Sequence, residues 1–285
     1  MNDLYIITTL SNMHVGSGEV TFGVIDNLIQ RDVLYNYPNI NSSGLKGAIR
    51  EFFKNYYRGK DVTETIKRIF GSSPNHKEQQ GDELSPGSFR FFEANILSIP
   101  VRSDKAPYFM ATCKNVIDDF CKKMEVFGIK NKELEIALKA AAALIAEKGK
   151  PLVFDENHEG AMIEDTEFKA VNKKDILSVS NLSLLKKIFG DRLTILNDDD
   201  FVDICSDKYL PVIARNNLED GKSQNLWYEQ VLPRESRLSF VLMKGNEDDG
   251  KILDGLFAEN LVQIGANASI GYGFTKIKPI AELLK

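Results

Sequence analysis

The sequence predicts an α+β fold, and three observations carry that prediction. Strand-like and helix-like segments alternate irregularly, without the steady strand–helix repeat of a doubly wound sheet. The 285 residues are 43% hydrophobic and 27% charged, ordinary values for a chain that buries a sizeable core. The late segment Val262–Phe274 has glycines at 265, 271 and 273. Their spacing is not Gly-x-Gly-x-x-Gly and they open a strand rather than a helix, which argues against a dinucleotide fold.

The elements follow in order. Leu4 to Leu10 is rich in β-branched and aromatic residues and reads as a strand. It runs into the loop His14-Val15-Gly16-Ser17-Gly18, then into a partly extended stretch from Phe22 to Arg31 broken at Asp26-Asn27. Leu45, Ala48, Ile49, Phe52, Phe53 and Tyr56 fall at amphipathic spacing and predict a helix to about Tyr57, with Ser42 or Ser43 as its cap. Ser88 to Ile99 reads as a strand. Helices follow at Lys114 to Phe127 and Lys132 to Lys148, the second with Leu134, Ala137, Leu138, Ala141 and Ile145 on its apolar stripe. Leu152–Phe154 and Ala161–Ile163 are expected to form a hairpin around Asn157–Gly160, and Leu182 to Phe189 a short helix. Tyr209–Ala214 and Leu226–Leu232 flank a polar tip. A strand (Ser236–Met243), a helix (Ile252–Glu259) and a strand (Tyr272–Ile277) close the chain. No repeat, low-complexity tract or linker divides it, so residues 1–285 are read as one domain.

Composition excludes several function classes. The longest apolar run, Ala140–Ala146, is far short of the roughly 20 residues of a membrane span. No secretory signal opens the chain, and Cys113, Cys121 and Cys205 form neither an even disulfide set nor a Cys-x-x-Cys pair. A cytosolic, membrane-free setting is expected. His14, His76 and His158 show no ligand-pair spacing, against zinc. Net charge is −5, with acids clustered at Asp82-Glu83, Asp198–Asp200 and Glu247–Asp249, read as loop or cap positions. Gly44 to Arg68, in contrast, holds seven cations against three acids, net +4. Nucleic acid needs only such a local stripe.

Three segments carry candidate chemistry. Pro38–Arg50 delivers small residues and free N–H groups to a helix start, with Lys46, Arg50 and Lys54 recurring along one side. It suits phosphate as well as it suits a plain capped helix with a solvated basic face. Asp26, set in an apolar stretch, suits a turn or an oxygen ligand for a divalent cation. Glu229 sits in Leu226-Trp227-Tyr228-Glu229-Gln230, where aromatic neighbours can stack on a base or belong to the core.

The order of these motifs is more telling than any one of them. Val24–Arg31, the Ser42–Arg50 box and the terminal glycines resemble the RAMP-superfamily CRISPR proteins. With Gly87–Ala94, Ile99-Pro100-Val101-Arg102-Ser103, Leu226–Glu229 and Leu232-Pro233, the chain resembles the Cas-seven backbone family, in the form of the fourth subunit of the type III-B (Cmr) effector. The resemblance runs from residue 10 to 275 and is weakest over 111–200.

It implies an RRM-like (ferredoxin-like) palm with a large helical insertion at roughly 111–200 and a thumb hairpin at roughly 209–232. It also implies stacking of copies in a helical filament along guide (CRISPR) RNA, other Cmr subunits as partners, and metal-dependent cleavage of target RNA. On this reading Asp26 is catalytic and binds a divalent metal, Mg2+ or Mn2+, with His14 and Glu229 beside it. Ser42, Ser43, Lys46, Arg50, Lys54, Arg215, Gly271 and Gly273 contact RNA. Gln230 stands where the family usually has Glu, and Ile40-Asn41 where it has Pro-Gly. Two other readings share the RNA-binding features: a purely structural filament subunit, and a metal-free guide-processing endoribonuclease.

Overall fold

The strand Asn2–Thr9 is buried along Leu4–Ile7 and pairs antiparallel on both edges, with Arg237–Met243 and with Phe274–Pro279. This computed structural model describes residues 2–18, 23–72, 85–164, 168–173, 176–220 and 222–285. Phe22, His76, Asp82, Glu83 and Gly221 lie outside them.

An eleven-stranded sheet forms the frame. Its main path runs Val262–Gln263, Phe274–Pro279, Asn2–Thr9, Arg237–Met243, Ala94–Val101, Phe109–Cys113, Leu193–Leu196, Leu152–Val153 and Val171–Asn172. Two short strands, Asn39–Ile40 and Arg90–Phe91, pair off this path with Ala94–Val101 and Arg237–Met243.

Side-chain alternation along the strands gives the sheet two apolar faces. Tyr5 stacks on Phe240 at 5.1 Å and meets Phe257 edge-on at 5.8 Å; Phe257 in turn stacks on Phe52 at 5.7 Å. Helices Ser42–Tyr56 and Glu247–Glu259 therefore cover the Tyr5 face. Arg237 alternates to the other face and donates to the Lys187 carbonyl at 2.6 Å, beneath helix Val179–Phe189. A sheet covered on both sides explains why its strands read as nearly unbroken apolar runs.

Several expectations are corrected. Helix Ser42–Tyr56 starts earlier than its apolar stripe; Asn41 is the N-cap, without a side-chain cap bond, so Ser42 and Ser43 sit in the first turn. Ser88–Ile99 breaks into Arg90–Phe91 and Ala94–Val101, which both pair with Arg237–Met243. The second long helix stops at Ala142, and Ile145 is 80% exposed rather than on a buried stripe. Leu152–Val153 does not pair with Met162–Ile163. It joins Leu193–Leu196 and Val171–Asn172, while Met162–Ile163 pairs with Phe168–Lys169. The stretch from Phe22 to Arg31 shows isolated bridges at Asn27, Ile29 and Arg31 where it is described. Helix Val62–Phe70 and strand Phe109–Cys113 have no counterpart in the sequence reading. Two of the acidic runs are helix starts: Asn197 and Asn246 cap Asp198–Ile204 and Glu247–Glu259, whose first-turn acids complement the helix dipole.

Residues 109–196 contribute four strands to the main sheet as well as helices. The hairpin Val212–Glu219/Lys222–Gln230 is a separate two-stranded unit, with paired strands running far into the expected polar tip. Among the described residues, no helix is long and apolar enough to cross a membrane.

Candidate active site and nucleic-acid interface

Three chain segments meet at the base of the hairpin. The first is the loop after strand Asn2–Thr9, where Met13 exchanges backbone hydrogen bonds with Leu232, both at 2.8 Å. That pairing buries His14 and brings its Nδ1 to 2.7 Å from the Gln230 carbonyl oxygen. A carbonyl only accepts, so Nδ1 is the donor of this hydrogen bond.

The second segment is the exposed bend at Asp26. The Asp26 and Asn27 N–H groups both donate to the Tyr228 carbonyl at 3.1 Å, and Gln230 N–H donates to Asn27 O at 2.9 Å. The Tyr228 N–H closes the exchange by donating to Asp26 Oδ2 at 2.8 Å. One carboxylate oxygen of Asp26 is thus fixed by the hairpin backbone. Among the described residues nothing engages Oδ1.

Glu229 is the third component, and it is only 6% exposed. Its Oε1 accepts from Trp227 Nε1 at 2.8 Å; its Oε2 accepts from Arg215 at 3.1 Å and from Asn267 Nδ2 at 2.8 Å. Burial pushes this carboxyl up, but the Trp227 and Arg215 hydrogen bonds, the Arg215 charge and nearby His14 outweigh it. The group is held below the usual carboxylate range. An ionised acceptor with three donors is a latch joining both hairpin strands to the terminal glycine loop.

Gln230 is fully buried beside this latch and donates to Asp207 Oδ1 at 2.8 Å. Arg31 reaches the same Asp207 oxygen at 3.0 Å. A glutamate at 230 would set two carboxylates against each other, so the amide fits its local partner.

The segments that carry Asp26, His14 and Glu229 therefore meet at the hairpin base. The structure turns Arg215 inward: the guanidinium lies over Trp227, 5.4 Å from the ring centroid, and pairs with Glu229 rather than projecting from a loop. Lys222 and Gln224 remain exposed on the hairpin. Gly273 is structural in geometry. Its φ is +74°, its N–H donates to Asn12 O at 2.9 Å, and a Cβ would fall 1.9 Å from the Ile264 carbonyl oxygen. Gly271, at φ +84°, has nothing within 4 Å of that position and presents open backbone.

Ser42, Ser43, Lys46, Arg50 and Lys54 form a second centre on helix Ser42–Tyr56. Burial of Leu45, Ile49, Phe52 and Phe53 against the sheet forces the cations to the outer side. Partial burial, then Arg50 and Arg90, hold the Lys46 ammonium below its ordinary range. Lys54 pairs with Glu51 at 3.7 Å, an exposed contact of little energetic weight. Sequence reasoning missed two contributors, Asn267 and Tyr228. Asn267 holds φ +65°, a left-handed conformation that asparagine tolerates, which is its one sequence signal. Tyr228 acts through its backbone and leaves none.

The chain belongs to the RAMP superfamily, whose family model matches residues 6–276, so the match takes in the strand frame, the acidic bend, the hairpin and the glycine-rich return. Among its relatives, it is 28% identical over 285 residues to the CRISPR system Cmr endoribonuclease Cmr4 of Pyrococcus furiosus, covering 94% of this chain and 92% of that one. It is 24% identical over 306 residues to the CMR subunit Cmr4 of Saccharolobus solfataricus, covering 96% and 95%. In fold it is similar to a chain of the type III-B Cmr-beta complex bound to cognate target RNA (TM-score 0.75, 19% identity, 99% of this chain and 98% of that one). It is also similar to oligomeric Cmr4 from Pyrococcus furiosus (TM-score 0.69, 21% identity, 98% and 97%).

Proposed function

We propose that this chain is a Cmr4-type backbone subunit of a type III-B CRISPR effector, which binds guide RNA and cleaves target RNA at Asp26. The observation that carries the reading is the backbone exchange between the Asp26 bend and the hairpin base, which ties an acidic group to an RNA-sized protrusion. Four strands, in the order Phe274–Pro279, Asn2–Thr9, Arg237–Met243 and Ala94–Val101, are antiparallel to their neighbours, with helices after the first and third in sequence. That order supports an RRM-like palm. The hairpin Val212–Gln230 is its thumb, and copies of the chain pack with other Cmr subunits along the guide.

Base pairing with the guide supplies sequence specificity, so the protein reads backbone and shape. Lys46 and Arg50 hold guide phosphates. The hairpin enters the guide–target duplex and unstacks it, setting one target linkage in line beside Asp26. Glu229 keeps the hairpin base in register, and His14, held on the Gln230 carbonyl, stands beside it. No group of three His, Cys, Asp or Glu side chains suited to a metal occurs among the described residues. A divalent cation therefore fits only if RNA and water complete its shell around Asp26 Oδ1, as Mg2+ commonly allows. Mg2+ or Mn2+ held by Asp26 would supply charge stabilisation at the attacked phosphate.

The test is Asp26→Ala in the complex assembled with guide RNA and partner subunits. Cleavage should fall by at least two orders of magnitude while target binding stays within a few-fold, because the lost group acts on the transition state. Normal cleavage by the variant would move the chain to the structural filament reading.

A further inference from the structure

The segment Gly87–Ala94 helps mark the family resemblance, yet the site described above gives it no role. The structure lays it beside helix Ser42–Tyr56 as the second wall of an open groove of about 880 Å3, lined by Ser42, Ser43, Lys46, Gly87, Arg90 and Glu93 among others. Arg90 sits on the short strand paired with Met243, and one of its guanidinium nitrogens donates to the Gly87 carbonyl at 2.5 Å and the Phe89 carbonyl at 3.3 Å. Those bonds orient the side chain and, among the described residues, leave its other nitrogens without protein acceptors. Arg90 and Arg50 both act on Lys46 as like charges, so three cations from two separate segments crowd one place. Among the described residues no carboxylate forms an ion pair with any of the three. Glu93, the one acid lining the groove among the described residues, accepts from Asn95 Nδ2 at 3.1 Å. Gathered like charges without a counter-ion are costly unless an anion completes them.

We propose that Arg90 and Lys46 form the two walls of a phosphate clamp, with Arg50 at its side, that grips the sugar–phosphate backbone of single-stranded guide RNA. The inference rests on the RNA-binding reading above and adds to it the second wall. A planar guanidinium tethered at one edge presents its remaining N–H groups in a fork that matches a phosphate, whereas Lys46 contributes a point charge. Glu93 weakens the clamp at one rim and limits how tightly it holds.

Fluorescence anisotropy of a labelled oligouridylate on the full chain, over a series of salt concentrations, tests this. Wild type should bind with affinity falling linearly in log salt. Arg90→Gln should weaken binding several-fold and flatten the slope by about 0.7, the value for one phosphate contact on a single strand. Glu93→Gln should move affinity the opposite way. Arg90→Lys should restore most of the slope, which separates charge from any role of Arg90 in holding the Gly87 and Phe89 carbonyls; thermal unfolding of each variant checks the fold. If wild type binds and Arg90→Gln matches it in affinity and slope, the clamp is overturned and the RNA-binding reading stands. If Arg90→Lys leaves the salt slope as flat as Arg90→Gln does, no cation at this position meets a phosphate and the clamp is likewise overturned. Failure of wild type to bind any RNA, alone or assembled, would overturn both.

Discussion

Removing Glu229 should loosen one end of the hairpin and little else. Glu229→Ala leaves the Trp227 indole N–H, the Arg215 guanidinium and the Asn267 amide without their shared acceptor. Breaking a buried ion pair costs about 3–5 kcal/mol, and Arg215 is 21% exposed and so partly solvated. The low end, about 3 kcal/mol, is the fitting figure. Because the hairpin shares no strand with the main sheet, this cost falls on local opening rather than on global unfolding. At about 1.4 kcal/mol per tenfold, hydrogen exchange at the Tyr228 and Gln230 amides should quicken by about 100-fold. Amides of Leu4–Ile7 in the central strand should not change. Glu229→Gln keeps one acceptor and the shape, and should give about tenfold. Since the folded-state carboxyl lies below its ordinary value, its contribution is complete above about pH 4.3 and is lost as pH falls through the lower, folded value. Protection at the hairpin base should therefore persist at pH 5 and fade only in stronger acid. Cleavage lost with unchanged exchange at Tyr228 and Gln230 would refute the latch and make Glu229 a chemical participant.

Lys46→Ala with Arg50→Ala should weaken guides of every sequence alike and flatten the salt slope by about 1.4, two single-strand phosphate contacts; equal slopes would make the helix face merely solvated. Gly273→Ala should destabilise the chain by more than about 2 kcal/mol, since left-handed backbone and contact with Ile264 O both oppose it, whereas Gly271→Ala should cost about 1 kcal/mol. Thermal denaturation distinguishes the pair, and equal shifts would contradict the packing. Shortening Leu218–Ser223 should reduce cleavage more than guide binding and disturb the spacing of products. Unchanged spacing would move the thumb role elsewhere, most plausibly to 150–200.

Periodicity made the basic helix and the helix at Lys114 legible, because in each the buried stripe repeats over several turns, and β-branched and aromatic content marked the central strand. It failed where burial is two-sided or short. Phe109–Cys113 is wholly buried and carries no alternation. Leu152–Val153 is too brief to announce its partners, so the nearest apolar run reads as its mate; the true partners are 19 and more residues away in sequence. The apolar run Ala140–Ala146 suggested a longer helix, yet the chain turns after Ala142 and leaves Ile145 outside. In the site, motif order pointed to Asp26, His14 and Glu229. The orientation of Arg215 was not legible, since an arginine in a polar hairpin reads as outward until its carboxylate is seen.

The hairpin has two ends with different obligations. Its base is committed by the Tyr228 exchange with Asp26, by the Glu229 latch and by the Gln230–Asp207 contact. Its outer part is paired only with itself and exposed. Inheritance should treat them separately: tips can lengthen, shorten or change charge as targets and partners change, while base residues must change in concert. A graft of a foreign hairpin into this chain would then have to be cut above Trp227, leaving Arg215, Trp227 and Glu229 native.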